Sequence, residues 1–144
     1  MSEIATGGCL CGAVRYEVRG PLRHVLVCHC GECRRWHGGP AQSTAAARDD
    51  LVLTEQRGLR WIDSPQSEAH ARRGFCADCG SSLFWDAPGR GYVAIAAGSV
   101  DGDTGVRAAA HWYTSQKGDW YDLPDDGLPR HEGSAAVSGA DPSP

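Results

Sequence analysis

The sequence predicts a mainly β protein organised around bound metal, and three observations carry that reading. Glycine and proline are abundant, with 19 and 8 copies, so the chain must turn often between short elements. Its apolar residues come in short runs, one of them strictly alternating, rather than in helix-length stripes. All seven cysteines fall into three tight groups.

The elements follow in order. Residues 13–18 alternate, with Val14, Tyr16 and Val18 on one face and Arg15 and Glu17 on the other, the pattern of a half-buried strand. After the Gly20-Pro21 turn, residues 25–27 form a second strand running straight into Cys28-His29-Cys30-Gly31-Glu32-Cys33. Residues 34–37 predict one helical turn, stopped by Gly38-Gly39-Pro40. Further short strands are expected over 41–47, 51–54 and 59–62. Residues 69–75 and 82–85 read as a hairpin with Cys76-Ala77-Asp78-Cys79-Gly80 at its tip, and 92–97 and 108–113 supply two more strands. Residues 133–144 are small and polar, with little to bury, and predict a disordered tail.

A length of 144 residues suits one domain, and 41% hydrophobic against 22% charged residues is ordinary globular composition. A net charge of -4 offers no basic footprint, so nucleic acid is not an expected partner despite the Arg34-Arg35 and Arg72-Arg73 pairs. The N-terminal residues lack a signal-peptide pattern and no run is long and apolar enough for a membrane span; the expected location is the cytoplasm. A reducing compartment disfavours disulfides and leaves metal binding or thiol chemistry as the use of clustered cysteines.

Two of the groups, Cys9-Leu10-Cys11-Gly12 and Cys76-Ala77-Asp78-Cys79-Gly80, are glycine-closed knuckles, and together they make one tetrahedral four-cysteine site. Such a site ties distant stretches of chain and is structural. The middle group, Cys28, Cys30 and Cys33, can grip a second ion but lacks an eighth cysteine to close it. Water, a side chain or a substrate would fill the fourth position, with His29 and His37 as the protein candidates. Three thiolates make zinc a modest Lewis acid, so exchange with an incoming thiol fits better than activation of water. Arg34 and Arg35 directly follow the last ligand and are candidate readers of a substrate carboxylate, with His37 a candidate wall residue. His111 reads as a strand residue, and the five tryptophans as core or rim.

These residues resemble the glutathione-dependent formaldehyde-activating enzyme family, also called GFA or CENP-V/GFA. The likeness runs through Gly8-Cys9-x-Cys11-Gly12-Ala13-Val14, Cys28-His29-Cys30-x-x-Cys33-Arg34 and Phe75-Cys76-x-x-Cys79-Gly80-Ser81. It continues through Gly98-Ser99-Val100-Asp101 and His111-Trp112-Tyr113-x-Ser115-x-Lys117-x-x-Trp120, covering most of residues 7–131. The resemblance implies a β-tent of packed short antiparallel sheets; residues 1–131 are then the zinc domain, and 132–144 remain as the tail that composition predicts. It implies two zinc ions per chain, a structural one on Cys9, Cys11, Cys76 and Cys79 and a catalytic one on Cys28, Cys30 and Cys33. It further implies a carbon–sulfur lyase or synthase that joins a thiol, with glutathione as the candidate partner, to formaldehyde. The alternatives are a non-enzymatic zinc module whose second site a side chain closes and whose surface binds a protein, and a thiol redox sensor. The oligomeric state stays open.

Overall fold

The computed structural model describes residues 4–134, so the expected tail lies outside the described residues beyond Ser134. Among the described residues, strands β1 (Ala5–Gly8), β2 (Arg15–Val18) and β3 (Val25–Cys28) precede one α-helix, α1 (Gly31–His37). Strands β4 (Ala41–Ala47), β5 (Leu51–Glu55), β6 (Leu59–Asp63) and β7 (Arg72–Cys76) follow. Strands β8 (Ser82–Asp86), β9 (Tyr92–Ala96) and β10 (Ala108–Trp112) complete the set.

The strands form a three-stranded sheet, β1-β2-β5, packed on a seven-stranded sheet, β10-β3-β4-β9-β8-β7-β6. The mainly β expectation holds, with one departure from antiparallel order: β10 pairs parallel to β3, setting Trp112 beside Cys28. The core lies between the sheets. Tyr16 and Val18 of β2 face inward as the alternation requires, and Tyr16 meets Phe84 edge-on at 5.6 Å. Trp61 stacks on the same Phe84 at 6.0 Å. The Tyr16 hydroxyl bonds the Ser99 Oγ at 2.7 Å, so this buried ring brings its polar tip to a partner.

Several boundaries differ from the expected ones. Strand β1 carries little strand propensity in Ala5-Thr6-Gly7-Gly8 and was not expected from the sequence. It exists because its backbone pairs with β2, and because Gly7 leaves room where a Cβ would collide with the Tyr16 hydroxyl. Strand β2 starts at Arg15 rather than at 13, since the Ala13 carbonyl accepts from Gly58 N–H (3.0 Å) and the Val14 carbonyl from Cys9 N–H (3.0 Å). The helix starts at Gly31 rather than Arg34, because the Cys30 sulfur accepts the Cys33 N–H at 3.3 Å and so caps it.

The face of the large sheet turned away from the core carries small side chains. Register places Leu26, Ser43 and Ala96 in one row across β3, β4 and β9. Trp112, Cys28 and Ala41 form the row beside it, across β10, β3 and β4. A third row runs Arg73, Trp85, Ala94 and Ala45. Alanine and serine in the middle of these rows leave a depression bounded by larger residues, and α1 closes one end of it. Trp36 holds α1 there, donating its indole N–H to Ser82 Oγ at 2.6 Å and packing edge-on against Phe75 at 5.5 Å.

Candidate metal centres and cleft

The two glycine-closed knuckles meet. Cys9, Cys11, Cys76 and Cys79 bring their sulfurs within 4.8 Å of one another. The Cys9–Cys11 and Cys11–Cys76 sulfur distances are both 3.8 Å. That is about 3.8 Å, the edge of a tetrahedron whose metal–sulfur bonds are ~2.3 Å, so the donor set and its spacing fit one soft divalent ion. Gly12 at φ 85° and Gly80 at φ 82° close the two knuckles in the left-handed region, as their sequence position suggested. Polar donors surround the sulfurs: Val14 N–H donates to Cys9 Sγ at 3.2 Å, and the Ser81 hydroxyl lies 3.2 Å from Cys79 Sγ. The Ser81 hydroxyl and backbone N–H bring the Cys79 thiol down to about 5. This site joins the start of the small sheet to the β7–β8 hairpin of the large one.

Cys28, Cys30 and Cys33 form the second group, again with all sulfurs within 4.8 Å. Cys28 ends β3, Cys30 caps α1, and Cys33 is buried in its first turn. Hydrogen bonds from the Cys28 and Cys33 thiols hold the Cys30 thiol well below its usual range. Among the described residues no fourth histidine, cysteine or carboxylate joins the group.

His29, one of the two candidate fourth ligands, is turned away. Between Cys28 and Cys30 the chain is extended, so its side chain leaves on the opposite side. It is buried, its Nε2 lies 2.9 Å from His111 Nδ1, and its Nδ1 lies 2.7 Å from the Tyr121 hydroxyl. His111 Nε2 in turn lies 2.8 Å from Asp126 Oδ2. An ionised Asp126 requires the proton on His111 Nε2; His111 Nδ1 then accepts from His29 Nε2–H, and His29 Nδ1 accepts from Tyr121 O–H. The hydrogen bond from His111 lowers the Asp126 pKa, while burial, His111 and Lys117 lower that of His29, which keeps this imidazole neutral. The chain of four groups fastens segment 121–126 behind the segment that carries Cys28 and Cys30. His29→Ala would strand the buried His111 Nδ1 and leave a cavity, and we expect a loss of about 3 kcal/mol, read in urea melts. A midpoint within error of wild type would show that the network contributes nothing.

The three cysteines sit in the wall of a cleft of about 550 Å³. His37 is among the lining residues; Arg34 is half-buried and Arg35 exposed on α1, and neither belongs to the lining. The arginines in the cleft are Arg23, Arg73 and Arg90. In the sequence Arg73 stands out only as half of a basic pair; its place follows from β7 register, which sets it opposite Trp85. Trp85 and Trp112 also line the cleft. At the end remote from the cysteines, Arg90 Nη1 donates to the Tyr92 hydroxyl at 3.3 Å, and the Arg23 guanidinium lies 5.9 Å from the Tyr92 ring centre. No described helix is long and apolar enough to cross a membrane.

A family model described as glutathione-dependent formaldehyde-activating enzyme matches residues 4–116. A Halomonas elongata protein, named as a candidate glutathione-dependent formaldehyde-activating enzyme, is 28% identical over 124 residues. That alignment covers 81% of this chain and 79% of the relative. A crystal structure of a Rhodobacter sphaeroides protein superposes with a TM-score of 0.57 at 23% identity. It covers 72% of this chain and 99% of its own, a likeness of fold alone.

Proposed function

The chain belongs to the glutathione-dependent formaldehyde-activating enzyme family, and from that premise we propose that it is a zinc-dependent carbon–sulfur lyase or synthase acting on a thiol and a small aldehyde. The observation that carries this reading is the three-cysteine group opening onto a cleft without a fourth protein donor among the described residues. A closed structural module would have supplied that donor. In this reading Cys9, Cys11, Cys76 and Cys79 hold a structural zinc, and Cys28, Cys30 and Cys33 hold the second. Zinc bound there would supply a positive centre that attracts a thiol sulfur and lowers its pKa.

The chain's own residues do the rest. The cleft falls within the roughly 300–1,000 Å³ of small-molecule sites, room enough for a peptide-sized thiol such as glutathione with its aldehyde. Leu26, Ala94 and Ala96 give the floor its apolar part, and His37 forms part of the wall. The carboxylate-reading role expected of Arg34 and Arg35 falls here to Arg23 and Arg90, which frame Tyr92 at the far end. With both reactants held, the thiol sulfur adds to the aldehyde carbon. A carbon–sulfur bond forms, the carbonyl π pair moves onto oxygen, and that oxygen takes the proton the thiol gave up; the reverse step returns both. Cysteines grouped as metal ligands suit a reducing compartment, and we place the reaction in the cytoplasm.

The test is magnetisation exchange by NMR between hydrated formaldehyde and its hydroxymethyl-thiol adduct, with glutathione as the thiol. Catalytic amounts of the zinc-loaded protein should raise the exchange rate well above the spontaneous one. A rate indistinguishable from the protein-free mixture would remove the enzymatic reading.

A further inference from the structure

We infer that Arg73 is the positioning residue that lets the three-cysteine site accept a fourth, negatively charged sulfur. The inference rests on reading that site as a metal centre open to thiols, and it assigns the selectivity for an anionic ligand to one side chain outside the ligand set.

Arg72 and Arg73 are neighbours on β7 with opposite fates. Arg72 pairs with Asp86 at 3.1 Å and lies over the Trp61 ring at 4.0 Å. Arg73, on the other face, is 6% exposed. Its Nη2 donates to Cys33 Sγ at 3.8 Å, and its Nε donates to Ser64 Oγ at 3.1 Å. Ser64 Oγ donates in turn to Glu32 Oε1 at 2.7 Å, and Glu32 Oε2 accepts the Gln66 N–H at 2.8 Å. The guanidinium is therefore aimed, not merely present. Among the described residues no carboxylate forms an ion pair with Arg73. A buried cation needs counter-charge: the Glu32 carboxylate supplies part of it through Ser64, and the anionic group in direct contact with the guanidinium is the Cys33 sulfur.

Three thiolates exceed the charge of a divalent ion by one, and a fourth raises the excess to two. In a partly buried site that second excess charge opposes binding, whereas a neutral fourth ligand meets no such cost. The attraction of the Arg73 cation grows with the negative charge it faces, so it stabilises the site completed by a thiolate more than the site completed by a neutral donor.

Cobalt(II)-substituted protein reports its fourth ligand through its visible spectrum, so it can be titrated with 2-mercaptoethanol and, separately, with imidazole. Arg73→Met should weaken thiol binding by roughly tenfold or more and leave imidazole affinity unchanged. Arg73→Lys, which keeps the charge, should retain most of the preference. If Arg73→Met does not fold, Ser64→Ala, which releases the guanidinium, should shift the same ratio in the same direction by a smaller factor. Equal losses for both ligands would mark Arg73 as purely structural and overturn the inference, as would unchanged thiol affinity. A wild-type spectrum indifferent to thiol would instead overturn the open-site reading beneath it, and the inference with it.

Discussion

Cys76→Ser is expected to leave the protein unfolded or molten at 25 °C. The residue is fully buried in the core cluster, and its sulfur lies 3.8 Å from that of Cys11, in the group that joins the β1–β2 end of the small sheet to the β7–β8 hairpin. A structural zinc held by this group would contribute on the order of 10 kcal/mol, comparable with the roughly 5–15 kcal/mol that a whole domain has. Serine is a poor zinc ligand and would bury an extra hydroxyl in an apolar surrounding. Circular dichroism melts and metal analysis on the same sample decide the matter. Wild type should carry two zinc ions per chain and melt cooperatively; the variant should lose the cooperative transition. Melting within a few degrees of wild type would show that sheet packing holds the hairpin without the ion.

Cys30→Ser should do the opposite, abolishing catalysis while sparing the fold. Cys30 serves twice, as a member of the three-cysteine group and as the cap of α1, where its sulfur accepts the Cys33 N–H. Serine is a strong N-cap, so the helix keeps its start and the melting temperature should stay within roughly 5 °C of wild type. The second site, reduced to two thiolates, should lose its zinc, and formaldehyde exchange should fall to the spontaneous rate. X-ray absorption should then see the remaining zinc coordinated by sulfur alone, since only the four-cysteine site is loaded. Activity near that of wild type, or a collapse of the fold matching Cys76→Ser, would contradict the division of labour between the two groups.

Which cysteines belong together was legible in the chain itself, because a knuckle is a local object: two cysteines a few residues apart and a glycine after them leave few ways to turn. The strand positions were nearly as legible, since alternation as in Tyr16 and Val18 records one wet face and one buried face. Strand β1 was not, because pairing and close approach to Tyr16 make it a strand against its own propensities. Nor could the sequence show that β10 lies parallel to β3, that His29 reaches His111 and Tyr121, or that Arg73 rather than Arg34 meets the Cys33 sulfur. Period-two alternation says that Arg72 and Arg73 point to opposite faces, but not which face holds the cleft. That choice depends on register between strands far apart in the chain, where a shift of one residue would exchange the two arginines, and register is decided only when the sheets pack.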